Sequence, residues 1–248
     1  MAIDFMKNRA TVRSYASTPI DENLLNELFE VACRASTTGN MQLYSIVVTN
    51  DQSMKSKLAP FHFNQPMVMG APVVLTFCAD YNRFTKWCNL NDADSGCDNL
   101  QGFMTAAIDA LLVAQTFCVA AESHGLGICY LGTTTYNPIE IAEALELPKL
   151  VVPITTITLG YPAANVEMSD RLDLSAVVHY EKYRDYDEAQ IRSIYLQKEE
   201  LPVNLQFVGD NGKRNLAQVY AEVRYTRANF EFFSKKLREA IEHQGFKI

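Results

Sequence analysis

The chain has 248 residues, 48% of them hydrophobic, enough for a real core and for one domain or one subunit of an intertwined dimer. A net charge of −7 argues against a nucleic-acid surface, and no run reads as long and apolar enough to span a bilayer. Six cysteines without a C-x-x-C pair, behind an opening MAIDFMKNR that lacks a signal-peptide pattern, point to a reducing cytoplasm.

Residues 3–8 predict a short helix leading into Arg9-Ala10-Thr11-Val12-Arg13. Pro19-Ile20-Asp21 opens the next helix, with Asp21 as N-cap and Leu24, Leu25, Leu28, Val31 and Ala32 on one face. It ends in the polar string Ser36-Thr37-Thr38-Gly39-Asn40. Tyr44–Thr49 alternates as a strand, Asn50-Asp51 turns it, and Ser53 starts a short helix to about Leu58. Residues 60–70 read as irregular, Pro72–Ala79 as a strand, and Asp80–Asn99 as a polar loop or lid around Trp87 with room for a helical turn. From Gln101 to Ser123 nearly every residue is small or apolar, with Asp109, Gln115 and Thr116 the main exceptions. A helix apolar all round must be buried all round, under a sheet or in a dimer interface.

Gly125 and Gly127 follow that helix, where a stop favours positive φ. Ile128–Leu131 predicts a strand and Gly132-Thr133 a turn. Asn137-Pro138 supplies an N-cap with proline at the first helical position, for a helix to about Leu147. Val152–Leu159 is a β-branched strand closed by Gly160 and Pro162. A short helix follows at Glu188–Gln197, then a segment with Pro202 and Gly209, and a last helix from about Lys213. Four cysteines (Cys33, Cys78, Cys118, Cys129) fall in apolar patterns and should be buried, whereas Cys88 and Cys97 fall in the polar loop. From Asn211 to Ile248, eight Lys/Arg stand against four Asp/Glu, a basic arm on an acidic body.

The stretch His124–Pro162, HGLGICYLGTTTYNPIEIAEALELPKLVVPITTITLGYP, resembles the nitroreductase family of flavin enzymes in its GLG, NP-EI, LP, VP and LGYP elements. The likeness is greatest to the larger, NADPH-preferring oxygen-insensitive nitroreductase and flavin reductase branch. It implies an α+β fold, a nitroreductase-like α/β sandwich with a central sheet flanked by helices. It also implies an interlocked homodimer with FMN at the interface. The chain would be one domain over 1–248, its helical extension from about residue 186 wrapping the partner subunit.

The resemblance also assigns residues. On spacing alone, Arg9 and Arg13 are ordinary surface charges. The family's R-x-S-x-R phosphate motif falls on Arg9, Thr11 and Arg13, with Ala10 between, and guanidinium groups suit a phosphate. Ser36, Thr37, Thr38 and Asn40 match P-S-x-x-N-x-Q without its proline, and would lie near the ribityl chain and ring; on composition they are a helix end and loop. Gln65 matches a glutamine that meets the isoalloxazine edge. Tyr130-Leu131-Gly132-Thr133 matches the turn that packs on the flavin and offers backbone N–H groups to N5 and O4; Thr133 stands where a second glycine is common. Arg171 keeps the arginine of a K-x-R pair whose lysine is replaced by Ser169, and Lys213 and Arg214 fall near the NADPH 2′-phosphate arginines. Gly125-Leu126-Gly127 begins like a dinucleotide fingerprint but follows a helix and precedes a strand, the reverse of the required order. The four histidines are scattered, and neither a metal motif nor a protein acid or base is expected.

The implied function is an FMN-dependent NAD(P)H oxidoreductase. Hydride passes from NADPH or NADH to flavin N5 and on to a nitroaromatic, quinone or flavin acceptor by a ping-pong mechanism. The alternatives are a flavin-storing or sensing protein with little turnover, or a same-fold enzyme of another reaction such as dehalogenation.

Overall fold

Four antiparallel strands form the centre of the computed structural model, which describes residues 4–248. In chain order the elements begin with α1 (Asp4–Lys7), α2 (Glu22–Ala32), β1 (Tyr44–Thr49), α3 (Gln52–Leu58), α4 (Pro66–Gly70), β2 (Val73–Asp80) and α5 (Asn82–Asn89). They continue with α6 (Leu100–Ser123), β3 (Gly127–Leu131), α7 (Pro138–Ala144), β4 (Val151–Gly160), α8 (Glu188–Glu199), α9 (Pro202–Asp210), α10 (Leu216–Val219) and α11 (Arg227–His243). The sheet order is β1-β2-β4-β3. The chain divides into two compact units, one running up to Met168 and completed by Phe233–Ile248, the other Ser169–Phe232.

The inner strands β2 and β4 are buried almost throughout, as strands covered on both sides are, with Thr76, Thr155, Thr156 and Thr158 among their mostly apolar side chains. Pro153 has no N–H to give to the ladder. The register between β2 and β4 shifts opposite it, between Phe77 and Cys78, and the bulge absorbs the missing donor. Ala110, Val113, Ala114, Phe117, Cys118 and Ala121 of α6 pack on Leu75, Phe77, Ile128, Ile157 and Leu159 of the sheet and on Leu28 and Ala32 of α2. Alanines on that face let the helix approach closely, and Phe117 fills the space between Phe29 and Phe77.

Several sequence expectations change. The 24-residue α6 is long and apolar enough to cross a membrane, contrary to the expectation that no run is. Its apolarity is that of a core helix on one side only: Leu100, Met104, Ile108, Leu111 and Leu112 are exposed in the single chain. Val31 is exposed as well. Residues 60–70 are ordered as a 3₁₀ turn, Ala59–His62, and α4. The Asp80–Asn99 segment contains the two-turn α5, whose Phe84 and buried Cys88 recur at helical spacing. Pro202 starts a helix at its N-terminal position, where its missing N–H costs nothing. The last predicted helix is interrupted by a π-helical stretch, Tyr220–Arg224, and restarts after Thr226, whose Oγ1 accepts from Asn229 N. α7 ends at Ala144, before the expected Leu147. Cys88 and Cys97 are buried and Cys33 is exposed, the reverse of their expected placement, and all six thiols are free. Gly125 has φ +76°, whereas Gly127 lies in a strand, kept small by Val12 against it.

Candidate functional site

Segment 9–16 is laid across the ends of β3 and β4. Val12 N–H donates to Ile128 O at 3.0 Å and Ala16 N–H to Tyr161 O at 2.8 Å. A Cβ on Gly127 would lie 2.3 Å from the Val12 side chain, so the segment sits directly on the strand. The Tyr15 hydroxyl is 2.8 Å from Val12 O and 2.7 Å from Thr158 Oγ1, and burial raises its pKa. Thr11 is half-buried and Arg13 exposed. Burial raises the Cys129 thiol pKa, and the neighbouring Arg13 guanidinium opposes the shift. Arg9 is engaged differently: its Nε and Nη2 meet the Glu122 carboxylate at 3.1 and 2.9 Å, and that hydrogen bond raises its pKa further. Arg9, Ala10 and Glu122 line a cavity of about 240 Å³ with Gly125 and Pro162.

Residues 36–43 are held to α6 by one buried carboxylate. Asp109 Oδ1 accepts from Thr38 N at 2.9 Å and Thr38 Oγ1 at 3.2 Å, and Oδ2 accepts from Leu43 N at 3.2 Å. Gly39, Asn40 and Gln42 are left-handed, and Gln42 Nε2 donates to Asn40 O at 2.9 Å. Ser36 is exposed, while Thr37 Oγ1 is buried with no hydrogen-bond partner among the described residues.

Gln65 and the 130–133 turn meet. Gln65 Nε2 donates to Thr133 Oγ1 at 3.5 Å, and His62 Nδ1 lies 2.8 Å from the same oxygen. His62 is fully buried, and burial pushes its pKa down to about 4, so it is neutral at pH 7. Leu131 is buried beneath the turn, and Tyr130 reaches Gln115 Oε1 at 3.3 Å. Gly132 is exposed, does not need a positive φ, and an added Cβ would meet nothing within 4 Å. Neither the fold's own packing nor its backbone therefore demands a glycine there. Asn137 makes no cap bond; it donates to Phe61 O and accepts from Lys236 Nζ, both at 2.7 Å, and so ties this turn to the His62 turn.

Three expected residues belong to the second unit. Arg171 Nη1 donates to its neighbours' carbonyls, Ser169 O and Asp170 O. Lys213 is paired with Glu222 at 2.9 Å, and Arg214 is exposed. A cavity of about 540 Å³ also lies in that unit, lined by Ile191, Tyr195, Leu216 and Tyr220 among others, and gathers none of the expected residues.

Sequence reasoning missed Asp109, Glu122 and His62 as supports. Asp109 alone carried a signal, a carboxylate isolated in an apolar helix; His62 and Glu122 find their partners only across the fold.

Residues 6–161 match the family model described as Nitroreductase family. The chain belongs to the nitroreductase family. An FMN reductase [NAD(P)H] of Bacillus subtilis strain 168 is 33% identical over 250 residues, covering 99% of this chain and 98% of its own. A Cr(VI) reductase of Pseudomonas sp. strain G-1 is 30% identical over 239 residues, 95% of this chain and 98% of its own. A Bacteroides fragilis protein known from its crystal structure superposes with a TM-score of 0.97 at 53% identity, over 99% of this chain and all of its own. The likeness to that crystal structure runs along the whole chain. Within it the family match ends before Arg171, Lys213 and Arg214, while the full-length relatives extend past them.

Proposed function

We propose that this nitroreductase-family chain is an FMN-dependent NAD(P)H oxidoreductase whose flavin lies along segments 9–13, 36–40, 65 and 130–133. Gly132 carries the reading: it is small where nothing in the protein requires it, at the end of a buried strand, so a flat ring can approach the backbone. The donor set suits FMN. Arg13, which has no salt bridge among the described residues, and the Thr11 hydroxyl offer charge-assisted bonds to a phosphate, with Arg9 beside them. The buried, unpartnered Thr37 Oγ1 leaves a polar atom for the ribityl region, with Ser36, Thr38 and Asn40 around it. Gln65 and the backbone of Tyr130, Leu131, Gly132 and Thr133 would meet the ring edge. When bound, FMN supplies the redox chemistry, taking hydride from NADPH or NADH and passing it to a nitroaromatic, quinone or free flavin in ping-pong fashion.

Arg171 would serve the phosphate or pyrimidine region, and Lys213 and Arg214 the NADPH 2′-phosphate. Glu222 neutralises Lys213, so selectivity would rest mainly on Arg214. The exposed α6 face of Met104, Ile108, Leu111 and Leu112 supports a homodimer, because a stripe of large apolar side chains needs a covering surface. Six free thiols are in keeping with a reducing compartment.

The test is an anaerobic absorbance spectrum of the purified protein, with NADPH and then NADH added. Yellow protein that bleaches within seconds supports the oxidoreductase; the faster donor names the preference. Yellow protein that neither donor bleaches would favour flavin storage. Colourless protein that does not take up FMN would overturn the site.

A further inference from the structure

We propose that His62 is a positioning residue for the flavin site, acting through the Thr133 hydroxyl to fix which end of the Gln65 amide faces the ring. The inference rests on the reading above that Gln65 and Gly132-Thr133 line FMN.

Two side chains converge on the Thr133 hydroxyl. His62 Nδ1 lies 2.8 Å from Thr133 Oγ1, and Gln65 Nε2 donates to that oxygen at 3.5 Å. The ring is fully buried, and its Nε2 meets no partner among the described residues. Among the described residues no carboxylate bonds to it, and the neutral ring has a single N–H.

The proton count gives the network a direction. A hydroxyl has one proton and accepts at its remaining lone pairs. If His62 Nδ1 carried the ring proton, Thr133 Oγ1 would accept from both His62 and Gln65. Its own proton would then have no acceptor, since these are its only two side-chain hydrogen bonds among the described residues. With the ring proton on Nε2, Thr133 accepts from Gln65 and donates to Nδ1. Both bonds to the hydroxyl are then satisfied and the Gln65 amide is held nitrogen-inward, at the cost of a buried Nε2–H that has no partner among the described residues. Its Oε1 points away from the hydroxyl, offering an acceptor to a donor N–H on a planar ring.

The backbone agrees. Phe63 and Asn64, between His62 and Gln65, both adopt left-handed conformations, φ 55° and 52°, although neither is glycine. Two consecutive residues in this sparsely populated region fold the chain back, so that His62 and Gln65 reach the same hydroxyl from one short turn. The threonine at position 133, where the family often has glycine, supplies the atom on which both depend.

The experiment compares Thr133→Val, which keeps the shape and removes the hydroxyl, with Thr133→Ser, which keeps the hydroxyl. FMN affinity is read by fluorescence quenching, and the midpoint potential of the bound flavin by spectroelectrochemistry. Thr133→Val should weaken FMN about tenfold, the order expected for losing one hydrogen bond at the ring, and should move the potential; Thr133→Ser should match the parent in both. His62→Phe should reproduce the Thr133→Val effect, and the double variant should be no worse than either alone. Identical affinity and potential in the Val, Ser and parent proteins would overturn the proposal. Should Thr133→Val not fold, ¹⁵N-histidine NMR of the parent decides: the Nε2–H tautomer of His62 is expected at pH 7, and an Nδ1–H tautomer or a charged ring overturns the relay. A parent that binds no FMN would defeat the flavin reading instead, and the tautomer would still test the relay by itself.

Discussion

The first unit closes its own core, whereas the second does not. In the first, Leu28, Leu75, Phe77, Phe117, Ile128, Ile157 and Leu159 are wholly buried. In residues 169–232 only Leu216 and Val219 are buried, while Leu174, Val177, Tyr180, Tyr183, Val203 and Leu205 stand more than half exposed. α8 and α9 bury no residue at all. A helix gains most of its stability in water from an apolar face that is covered. The first unit thus holds what folding needs, whereas the second leaves large apolar side chains open, which a second copy would cover in the proposed dimer.

The largest expected effect tests this contrast directly. Phe117→Ala removes a ring packed on Phe29 and Phe77, and should cost about 3–5 kcal/mol in chemical denaturation. Leu205→Ala, of the second unit, should change the stability of the isolated chain by no more than about 0.5 kcal/mol. A larger loss that depends on protein concentration would reveal a partner covering Leu205.

Next comes the carboxylate that ties a loop to the first core. Asp109→Ala deletes the acceptor for Thr38 N, Thr38 Oγ1 and Leu43 N. Hydrogen bonds to a charged group are the stronger kind, and a stability loss of about 3 kcal/mol with a matching fall in FMN affinity is expected. Normal stability with lost FMN binding would make Asp109 a ligand rather than a clamp.

What the sequence conveyed follows the same division. Local rules gave both ends of β1 and the Asp21 cap, whose Oδ1 accepts from Asn23 N and Leu24 N, because period and capping are written in adjacent residues. The GLG-to-LGYP block falls within the stretch that matches the family model. The supports of the site were not legible in the same way. Asp109 meets Thr38 across 71 residues, Glu122 meets Arg9 across 113, and His62 meets Thr133 across 71. No window of sequence contains such a pair. α9 was hidden because a short stretch that opens on Pro202 and holds Gly209 resembles a loop, and the break in the C-terminal helix because its apolar spacing nearly carries across the gap.

The pH dependence of the first unit should report His62. Its pKa is depressed in the fold to about 4 from an ordinary 6.5, so the unfolded chain binds more protons between those values. Stability from this residue is complete above pH 6.5 and is lost as pH falls toward 4, with a slope of up to about 1.4 kcal/mol per pH unit. Denaturation midpoints at pH 7, 5.5 and 4.5, compared with His62→Phe, check the sign: the variant should lack this component.

The smallest effect concerns an expected FMN-phosphate ligand that is already paired with a carboxylate. Glu122 pairs with Arg9 through two guanidinium nitrogens, and its side chain is only 9% exposed, so it cannot swing freely into water. A phosphate approaching Arg9, Thr11 and Arg13 would meet one guanidinium without a carboxylate partner among the described residues and one whose charge is balanced. Glu122→Gln keeps the shape and one acceptor oxygen for Arg9 but removes the negative charge. FMN affinity should rise roughly fivefold at low salt, the scale of a part-screened charge pair, and the gain should shrink as salt is raised. Arg13→Ala should act in the opposite direction, and more strongly, because Arg13 has no carboxylate to release. Fluorescence titration at two salt concentrations separates the cases. A fall in affinity for Glu122→Gln would mean that the carboxylate aims Arg9 rather than competing for it.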